Sequence, residues 1–197
     1  MSDSFRTITT PSEAKFTEKM SRFLSFAFHV KTADEARERV KEIAKKYYDA
    51  RHVCWAYMLG PQRLDSMSND NGEPSGTAGK PILGQINSFG LTDIVIVVVR
   101  YFGGIKLGTS GLIVAYREAA KLAIEAAEII ECHDMDTITF TFPWQAMNDV
   151  MKIVKGGDVD VVSQTFDNSC EMTVSVRRDY IDAIRARFED IDGLTLG

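Results

Sequence analysis

The chain has 197 residues, of which 45% are hydrophobic and 26% charged, a composition typical of a soluble globular protein with one large or two small domains. Its longest apolar run is six residues with a few neighbours, too short for a membrane span, and three scattered cysteines argue against a disulfide framework or a zinc site. The net charge is −5, but residues 1–133 carry 17 Lys/Arg against 16 Asp/Glu, whereas residues 134–197 carry 6 against 12. The acidity therefore belongs to the C-terminal part, which nucleic acid should repel.

The first ten residues, Met1–Thr10, are polar and lack the apolar core of a signal peptide. The odd number of widely spaced cysteines, Cys54, Cys132 and Cys170, fits buried thiols in a reducing compartment. We therefore expect a cytoplasmic, monomeric protein with no metal, no cofactor and no membrane association.

The elements predicted for the N-terminal part alternate between strands and helices. Thr32, with Glu35 three residues later, forms a capping-box pattern that makes Thr32 the N-cap of a helix. The six apolar β-formers of Ile94–Val99 predict a strand buried on both faces, because no side of it is polar. The predicted series is a lead-in with a strand near Arg6–Thr10, a strand at Arg22–Val30, a helix from Ala33 to about Tyr48, a strand at His52–Leu59, a loop over 62–75, a helix from about Thr77 to Phe89, a strand at 93–101 and an alanine-rich helix from Leu112 to about Ile130.

The pattern changes at residues 131–134, where a second series of elements begins. The predicted elements are a strand at Met135–Pro143, a helix at Trp144–Lys155, strands at Asp158–Phe166 and Cys170–Arg177 joined by a hairpin-like turn at 167–169, a helix at Asp179–Asp190 and a last strand at Leu194–Leu196. This order, β-α-β-β-α-β, is that of a ferredoxin-like domain. We therefore predict an α/β (α+β) protein of two domains, 1–133 and 134–197.

Two glycine-rich loops flank the strand that is predicted to be buried. The first covers residues 70–83 and the second covers residues 100–111, and each leads into a predicted helix. Loops that leave a buried strand and enter a helix often carry the binding and catalytic groups of α/β proteins. The candidate site is therefore expected in these two loops.

The second loop matches a nucleotide-binding P-loop only in part. Gly103 and Gly108 have the Walker A separation, but Thr109 stands where that motif requires lysine to reach the phosphates, and Lys106 lies inside the loop. No strand ending in a magnesium-binding aspartate is evident either. The sequence therefore argues against a P-loop NTPase.

A weaker expectation for the second loop is an anion site. Glycine-rich backbone can turn its N–H groups toward an anion, the following helix adds its positive dipole, and four Lys/Arg against one Glu over residues 100–121 give a local charge of +3. The residues expected to contact a phosphate or to stack on a base are Arg100, Tyr101, Phe102, Gly103, Gly104, Lys106, Gly108 and Ser110. The alternative is structural: the glycines serve tight turns, Ser110 caps the helix and the aromatic rings belong to the core.

The first loop offers Glu73, fixed among prolines and glycines, with Asp70 close by. Its motif residues are Gly72, Glu73, Pro74, Gly76, Thr77 and Gly79. Either carboxylate could act as a general acid or base. We favour the alternative, in which Glu73 holds loop N–H groups or pairs with Arg100, because no nucleophile accompanies it. His52 and Cys54, two residues apart on one strand, are interpreted as structural rather than as a catalytic pair, because no third group that would activate them is identifiable.

The two loops resemble the signatures of the IMPACT/YigZ family in the stretches Asn71–Leu83 and Arg100–Gly108, with supporting matches at Lys19–Leu24 and His52–Tyr57. The resemblance implies an N-terminal domain like domain 2 of ribosomal protein S5, followed by a ferredoxin-like domain. It also implies a function in binding, since eukaryotic relatives are translational regulators that act through a partner protein. Nucleic-acid or ribosome association is the usual suggestion for the bacterial relatives.

Three positions depart from the family pattern. Asn71 stands where an aspartate is common before Gly-Glu-Pro, and Ser110 stands where a glycine is typical. Val114 replaces a basic residue that often follows the helix start. The last change weakens an anion site.

The leading hypothesis is a non-enzymatic, translation-linked regulatory protein that binds RNA, the ribosome or a translation-associated protein through the two loops. Arg100 and Lys106 would contact phosphate, Tyr101 or Phe102 a base. One alternative is a small hydrolase-type enzyme acting on a phosphorylated metabolite or nucleotide. Another is an adaptor that binds only protein.

Overall fold

The structure is a computed structural model that describes residues 4–166 and 170–197, so the predicted turn at 167–169 lies outside the described residues. The chain divides into two compact units, Phe5–Cys132 and His133–Gly197, and Ser4 groups with the second. Within the described ranges, no helix is long and apolar enough to cross a membrane. The same ranges hold no cluster of three or more His, Cys, Asp or Glu side chains that could bind a metal.

The first unit is an antiparallel sheet with helices on both faces. Its elements are β1 (Ser4–Ile8), β2 (Ser12–Glu18), β3 (Ser21–His29), α1 (Ala33–Lys46), β4 (His52–Leu59), β5 (Asp65–Asn69), α2 (Gly79–Ser88), β6 (Ile94–Tyr101), α3 (Gly108–Glu125) and β7 (Ile129–His133). Five strands form the main sheet in the order β2-β3-β6-β4-β5, and β1 pairs with β7 in a second, two-stranded sheet. The strand β6 therefore lies at the centre of the main sheet.

The central position of β6 follows from its composition. Alternate residues from Ile94 to Val98 pack with α2 and α3, and alternate residues from Val95 to Val99 pack with α1 on the other face. All six are fully buried. Because burying each such side chain contributes about 1.5–3 kcal/mol, this strand anchors both layers of the unit. The prediction of a strand buried on both faces is confirmed.

The start of α1 is also as predicted. The Thr32 hydroxyl accepts a hydrogen bond from the Glu35 N–H at 3.2 Å. The Glu35 carboxylate accepts the return bond from the Lys31 N–H at 2.8 Å, one residue before the N-cap. The first bond satisfies a donor that the first turn of a helix leaves without a backbone partner, and the second satisfies the N–H of the residue before the N-cap.

Four elements of the first unit differ from the sequence prediction. Asp65–Asn69, predicted as loop, forms β5 against β4, and Ser12–Glu18 in the predicted lead-in forms β2 against β3. Both are edge strands with largely polar sequences, so the apolar alternation that marks a strand is absent from β5 and limited to Ala14 and Phe16 in β2. The helix predicted over 112–130 is wrong at both ends, because α3 starts at Gly108 and ends at Glu125. Ile129–His133 instead forms β7, whose β-branched residues favour an extended backbone once β1 is available as a partner.

The second unit has the strand order of a ferredoxin-like domain. Its elements are β8 (Met135–Phe142), a 3-10 turn (Trp144–Ala146), α4 (Met147–Val154), β9 (Val159–Phe166), β10 (Cys170–Arg177), a second 3-10 turn (Arg178–Tyr180), α5 (Ile181–Glu189) and β11 (Thr195–Leu196). The sheet is antiparallel in the order β11-β8-β10-β9, with a core shared by both helices and the sheet. The predicted α+β fold class is confirmed.

Candidate functional site

The first glycine-rich loop is organised by the carboxylate of Asp70. One oxygen accepts a hydrogen bond from the Gly76 N–H at 2.8 Å, and the other accepts from the N–H groups of Ala78 at 2.9 Å and Gly79 at 2.8 Å. Burial alone would raise the pKa of Asp70, but these three donors and Lys80 outweigh it and lower the pKa below its ordinary value. Asp70 therefore holds the loop onto the start of α2.

A tight turn follows Asp70. The Glu73 N–H donates to the Asp70 carbonyl at 3.0 Å, and both Asn71 (φ 40°) and Gly72 (φ 83°) have positive φ, as a type I′ turn requires. Asn tolerates this conformation, and its side-chain amide donates to the Val53 carbonyl at 3.1 Å. A carboxylate at position 71 could not make that donation, which gives Asn71 a structural role.

A buried polar network joins the two loops through Glu73. Its Oε1 accepts hydrogen bonds from Arg100 Nη1 at 2.8 Å and from the Tyr116 hydroxyl at 2.7 Å. The side chains of Arg100 and Glu73 are 8% and 3% exposed. Of the two structural roles expected for Glu73, holding loop N–H groups or pairing with Arg100, these contacts show the pairing.

The thiol of Cys54 extends this network. Its sulfur lies 3.4 Å from the Tyr116 hydroxyl and 2.9 Å from the Asp70 carbonyl oxygen. Burial raises the pKa of the Cys54 thiol to about 12, and burial, Cys54 and Glu73 raise that of Tyr116 as well. The His52 ring nitrogen Nδ1 lies 3.0 Å from the carbonyl oxygen of Asn71. These contacts fit structural roles for His52 and Cys54, since a thiol that stays protonated is a poor nucleophile.

The second loop is packed against the turn between β2 and β3. A Cβ on Gly103 would lie 2.1 Å from the backbone of Met20, and the Gly103 N–H donates to the Ser21 hydroxyl at 3.2 Å. Only glycine fits such a close approach of two backbones. Ser110 lies within the first turn of α3 and not at its N-cap, which is Leu107, so the alternative that Ser110 caps this helix is wrong.

A cavity of about 410 Å³ opens where the two loops meet. The register of β4 and β6 places His52 directly opposite Arg100 and so brings the start of β4 to the same place. The lining residues come from both loops and from β4, β6 and α3: Arg51, His52, Glu73, Pro74, Arg100, Phe102, Lys106, Leu107, Gly108, Thr109 and Leu112.

The cavity contains some of the predicted site residues and not others. Arg100, Phe102, Lys106 and Gly108 from the second loop line it, together with Glu73 and Pro74 from the first. The other predicted residues lie outside this lining: Tyr101, Gly103, Gly104 and Ser110 in the second loop and Asp70, Gly72, Gly76, Thr77 and Gly79 in the first.

Tyr101 faces a different set of partners. Its hydroxyl donates to Asp49 Oδ1 at 2.6 Å, and this hydrogen bond together with burial raises the pKa of Tyr101 to about 12. The Arg22 guanidinium carbon lies 5.1 Å from the centre of the Tyr101 ring. Its ring packs in the cluster on the α1 face of the sheet. The hypothesis that Tyr101 shares a base-binding site with Phe102 therefore receives no support from this geometry.

The electrostatics of the cavity differ from the local charge of +3 read from the sequence. Arg100 is not a free cation, because Glu73 pairs with it, and its guanidinium carbon lies 5.7 Å from the ring centres of both Phe23 and Phe102. On the outer side of α3, Lys121 lies 3.7 Å from two glutamates. Arg51 and Lys106 supply exposed positive charge at the cavity instead.

Sequence reasoning missed five cavity residues: Arg51, His52, Leu107, Thr109 and Leu112. Arg51 and His52 lie about fifty residues before Arg100 in the chain, and only the pairing of β4 with β6 unites them. An antiparallel alignment of His52–Leu59 with the 93–101 strand was the signal that could have found them.

Comparison with known proteins places both loops in one family domain. The family model for the Impact N-terminal domain matches residues 19–124. The chain is 39% identical over 131 residues to the IMPACT family member YvyE of Bacillus subtilis (strain 168), a match covering 66% of this chain and 60% of YvyE, so it spans less than two thirds of that relative.

Two further similarities extend over more of the chain. An IMPACT family member of Haemophilus influenzae is 31% identical over 175 residues, which are 87% of this chain and 84% of that protein. The crystal structure of a hypothetical protein has a TM-score of 0.76 at 27% identity, covering 100% of this chain and 97% of the other. This chain belongs to the IMPACT family.

Proposed function

We propose that this protein is a non-enzymatic, translation-linked regulator that binds RNA at the cavity between its two glycine-rich loops. The observation that carries the proposal is the convergence at one cavity of three basic side chains, an exposed aromatic ring and the start of a long helix. The link to translation comes from the family, because its eukaryotic members are translational regulators.

The three basic side chains at the cavity are Arg51, Arg100 and Lys106, and they face one carboxylate, Glu73. No described side chain caps the first turn of α3, and its N–H groups and dipole favour an anion there. Phosphate is the anion that RNA presents at every nucleotide, and it supplies most of the affinity of non-specific nucleic-acid binding.

Phe102 supports RNA over other polyanions. Its side chain is 54% exposed beside the Arg100 guanidinium, which leaves a ring face free to stack. Base stacking on aromatic rings is worth about 1–3 kcal/mol per base and tolerates any sequence, because every base has a π-face. A basic cavity with an exposed ring beside it is an arrangement that binds single-stranded RNA.

The experiment is binding of the full chain to a fluorescent single-stranded RNA over a range of salt concentrations. We expect the affinity to fall as salt rises, with a log–log slope of about 0.7 for each phosphate contacted. Lys106→Glu should weaken binding at low salt and flatten the slope. Lys41→Glu is the matched control, because Lys41 is exposed on α1, on the sheet face opposite α2 and α3, and the charge change is the same.

Equal weakening by both variants would contradict the assignment to this cavity, since it would reflect net charge alone. Absence of RNA binding at low salt would contradict the proposal itself. Recovery of one stoichiometric protein partner from an RNA-free preparation, with no RNA bound, would favour the protein-only adaptor instead.

A further inference from the structure

We infer that the cavity between the two loops is built for a phosphate monoester, the terminal phosphate of an RNA strand or of a single nucleotide, in preference to an internal phosphodiester. This inference rests on the proposed function, because it concerns the same site. It adds the chemical class of the group that enters the cavity.

The first argument is charge. Arg51, Arg100 and Lys106 contribute three positive charges to the cavity wall and Glu73 contributes one negative charge, which leaves +2. A phosphate monoester carries about −1.5 to −2 near neutral pH, whereas a phosphodiester carries only one negative charge. The monoester therefore matches the net charge of the wall, and the diester leaves part of it uncompensated.

The second argument is size. A volume of about 410 Å³ lies at the lower end of the ~300–1,000 Å³ that small-molecule sites enclose. Pro74, Leu107 and Leu112 add apolar surface to the wall. A volume of this size matches one terminal phosphate together with its nearest ring.

The third argument is the state of Arg100. Its guanidinium lines the cavity, and its Nη1 is held by Glu73, but its Nε has no hydrogen-bond partner within the part of the chain that the structure describes. The residue is 7% exposed, so this donor is shielded from bulk water as well. Leaving a buried donor unpaired costs free energy, and guanidinium groups bind phosphate oxygens through more than one N–H. Nε itself is inaccessible to a water molecule, so an oxyanion in the cavity pairs with this donor once the Arg100 side chain shifts toward it.

The test compares single-stranded RNAs of one sequence that differ only at the 5′ end: a hydroxyl, a phosphate or a methyl-esterified phosphate. Binding to the full chain is measured by fluorescence anisotropy at neutral pH with the label at the 3′ end. We expect the 5′-phosphate RNA to bind at least about tenfold tighter than the 5′-hydroxyl RNA, and methylation to remove most of this gain because it removes one charge. Lys106→Met should abolish the preference, and Lys41→Met should leave it intact.

Competition separates the two sources of the monoester. In one outcome, a nucleoside 5′-monophosphate displaces the labelled 5′-phosphate RNA at a far lower concentration than inorganic phosphate does. That result would place a single nucleotide in the cavity. Displacement only by other 5′-phosphorylated strands would place a strand terminus there. Both outcomes support the monoester assignment.

Failure of the inference is distinguishable from failure of the proposed function. Equal affinity for all three RNA ends, with affinity still reduced by Lys106→Met, would overturn the monoester assignment and leave RNA binding at this cavity intact. Binding of a nucleoside monophosphate without binding of any RNA would retain the monoester and remove the RNA function. Absence of binding to every probe would overturn both.

Discussion

The buried ion pair between Glu73 and Arg100 gives a quantitative test of how the two loops are held together. Both side chains are more than nine-tenths buried, and Tyr116 donates to the same carboxylate oxygen as Arg100. The perturbation is a double-mutant cycle made of Glu73→Gln, Arg100→Met and the two combined. Met has a similar length to Arg without its charge, and Gln keeps an oxygen that can accept from Tyr116.

The magnitude follows from what each variant leaves behind. Either single variant leaves one buried charge without its partner, a change that typically costs about 3–5 kcal/mol. The double variant leaves no buried charge, and we expect it to cost only about 1–3 kcal/mol, since buried ion pairs can often be replaced by uncharged groups of similar volume. The losses in unfolding free energy of the two single variants, added together, should therefore exceed the loss of the double variant by about 3 kcal/mol or more.

The assay is urea unfolding followed by tryptophan fluorescence. The chain has two tryptophans: Trp55 lies on β4 in the main sheet of the first unit, and Trp144 lies in the second unit with 67% of its surface exposed. A Trp144→Phe background makes the signal report the first unit alone, so that a two-state fit is made to one cooperative unit.

An additive result would refute the reasoning. If the double variant costs the sum of the two singles within about 0.5 kcal/mol, the two charges do not stabilise each other. The matched control is the pair Asp34–Arg37 on α1, which has a similar contact distance of 2.8 Å but side chains 89% and 50% exposed. Its cycle should give about 0.5 kcal/mol or less, because water screens exposed pairs.

Three further predictions test other parts of the first unit. The pKa of Asp70 is lower in the folded protein than its ordinary value of 3.8. The ionised carboxylate therefore stabilises the fold fully above pH 3.8, and this stabilisation is lost as the pH falls through the lower pKa of the folded protein. Asp70→Asn should flatten the acid limb of a plot of unfolding free energy against pH. Gly103→Ala should destabilise by at least about 2 kcal/mol in urea unfolding, because its Cβ would meet backbone at 2.1 Å, whereas Gly84→Ala in α2, with nothing within 4 Å, should stabilise by about 0.5–1 kcal/mol. The thiol of Cys54 is fully buried with its pKa raised to about 12, so a thiol reagent should label half-buried Cys132 first and Cys54 only as the protein unfolds.

The parts of the fold that the sequence predicted are those governed by local chemistry. The apolar run Ile94–Val99 required burial on both faces, and Thr32 with Glu35 determined the start of α1. The order of elements in the second unit followed from period and turn residues in the same way. Each of these signals lies within a window of a few residues.

The parts that the sequence did not predict depend on strand partners and not on their own apolar pattern. The polar stretch Asp65–Asn69 is a strand because the neighbouring strand β4 offers an edge, and Ile129–His133 is a strand because β1 does, more than a hundred residues away. Helix propensity extended the helix predicted from Leu112 as far as Ile130. In the structure, pairing with β1 outweighs the helix propensity of Ile129 and Ile130.

The candidate site shows the same division. The two loops were found from their glycines, yet the state of Arg100 was not, because its partner Glu73 lies 27 residues earlier and Tyr116 lies on the following helix. A charge count along the sequence treats Arg100 as a free cation. The structure makes it part of a neutral, buried pair, with Arg51 and Lys106 carrying the exposed charge.

The two carboxylates of the first loop bear on the choice between binding and catalysis. A general base has to reach a substrate proton with a free oxygen and with a pKa near the working pH. Asp70 accepts three backbone hydrogen bonds and has a lowered pKa, and one oxygen of Glu73 accepts two donors. Both acids therefore fix the shape of the loops around the cavity. Fixed shape, exposed cations and an exposed ring are what a binding site needs, and they lower the entropy lost when a ligand is ordered there.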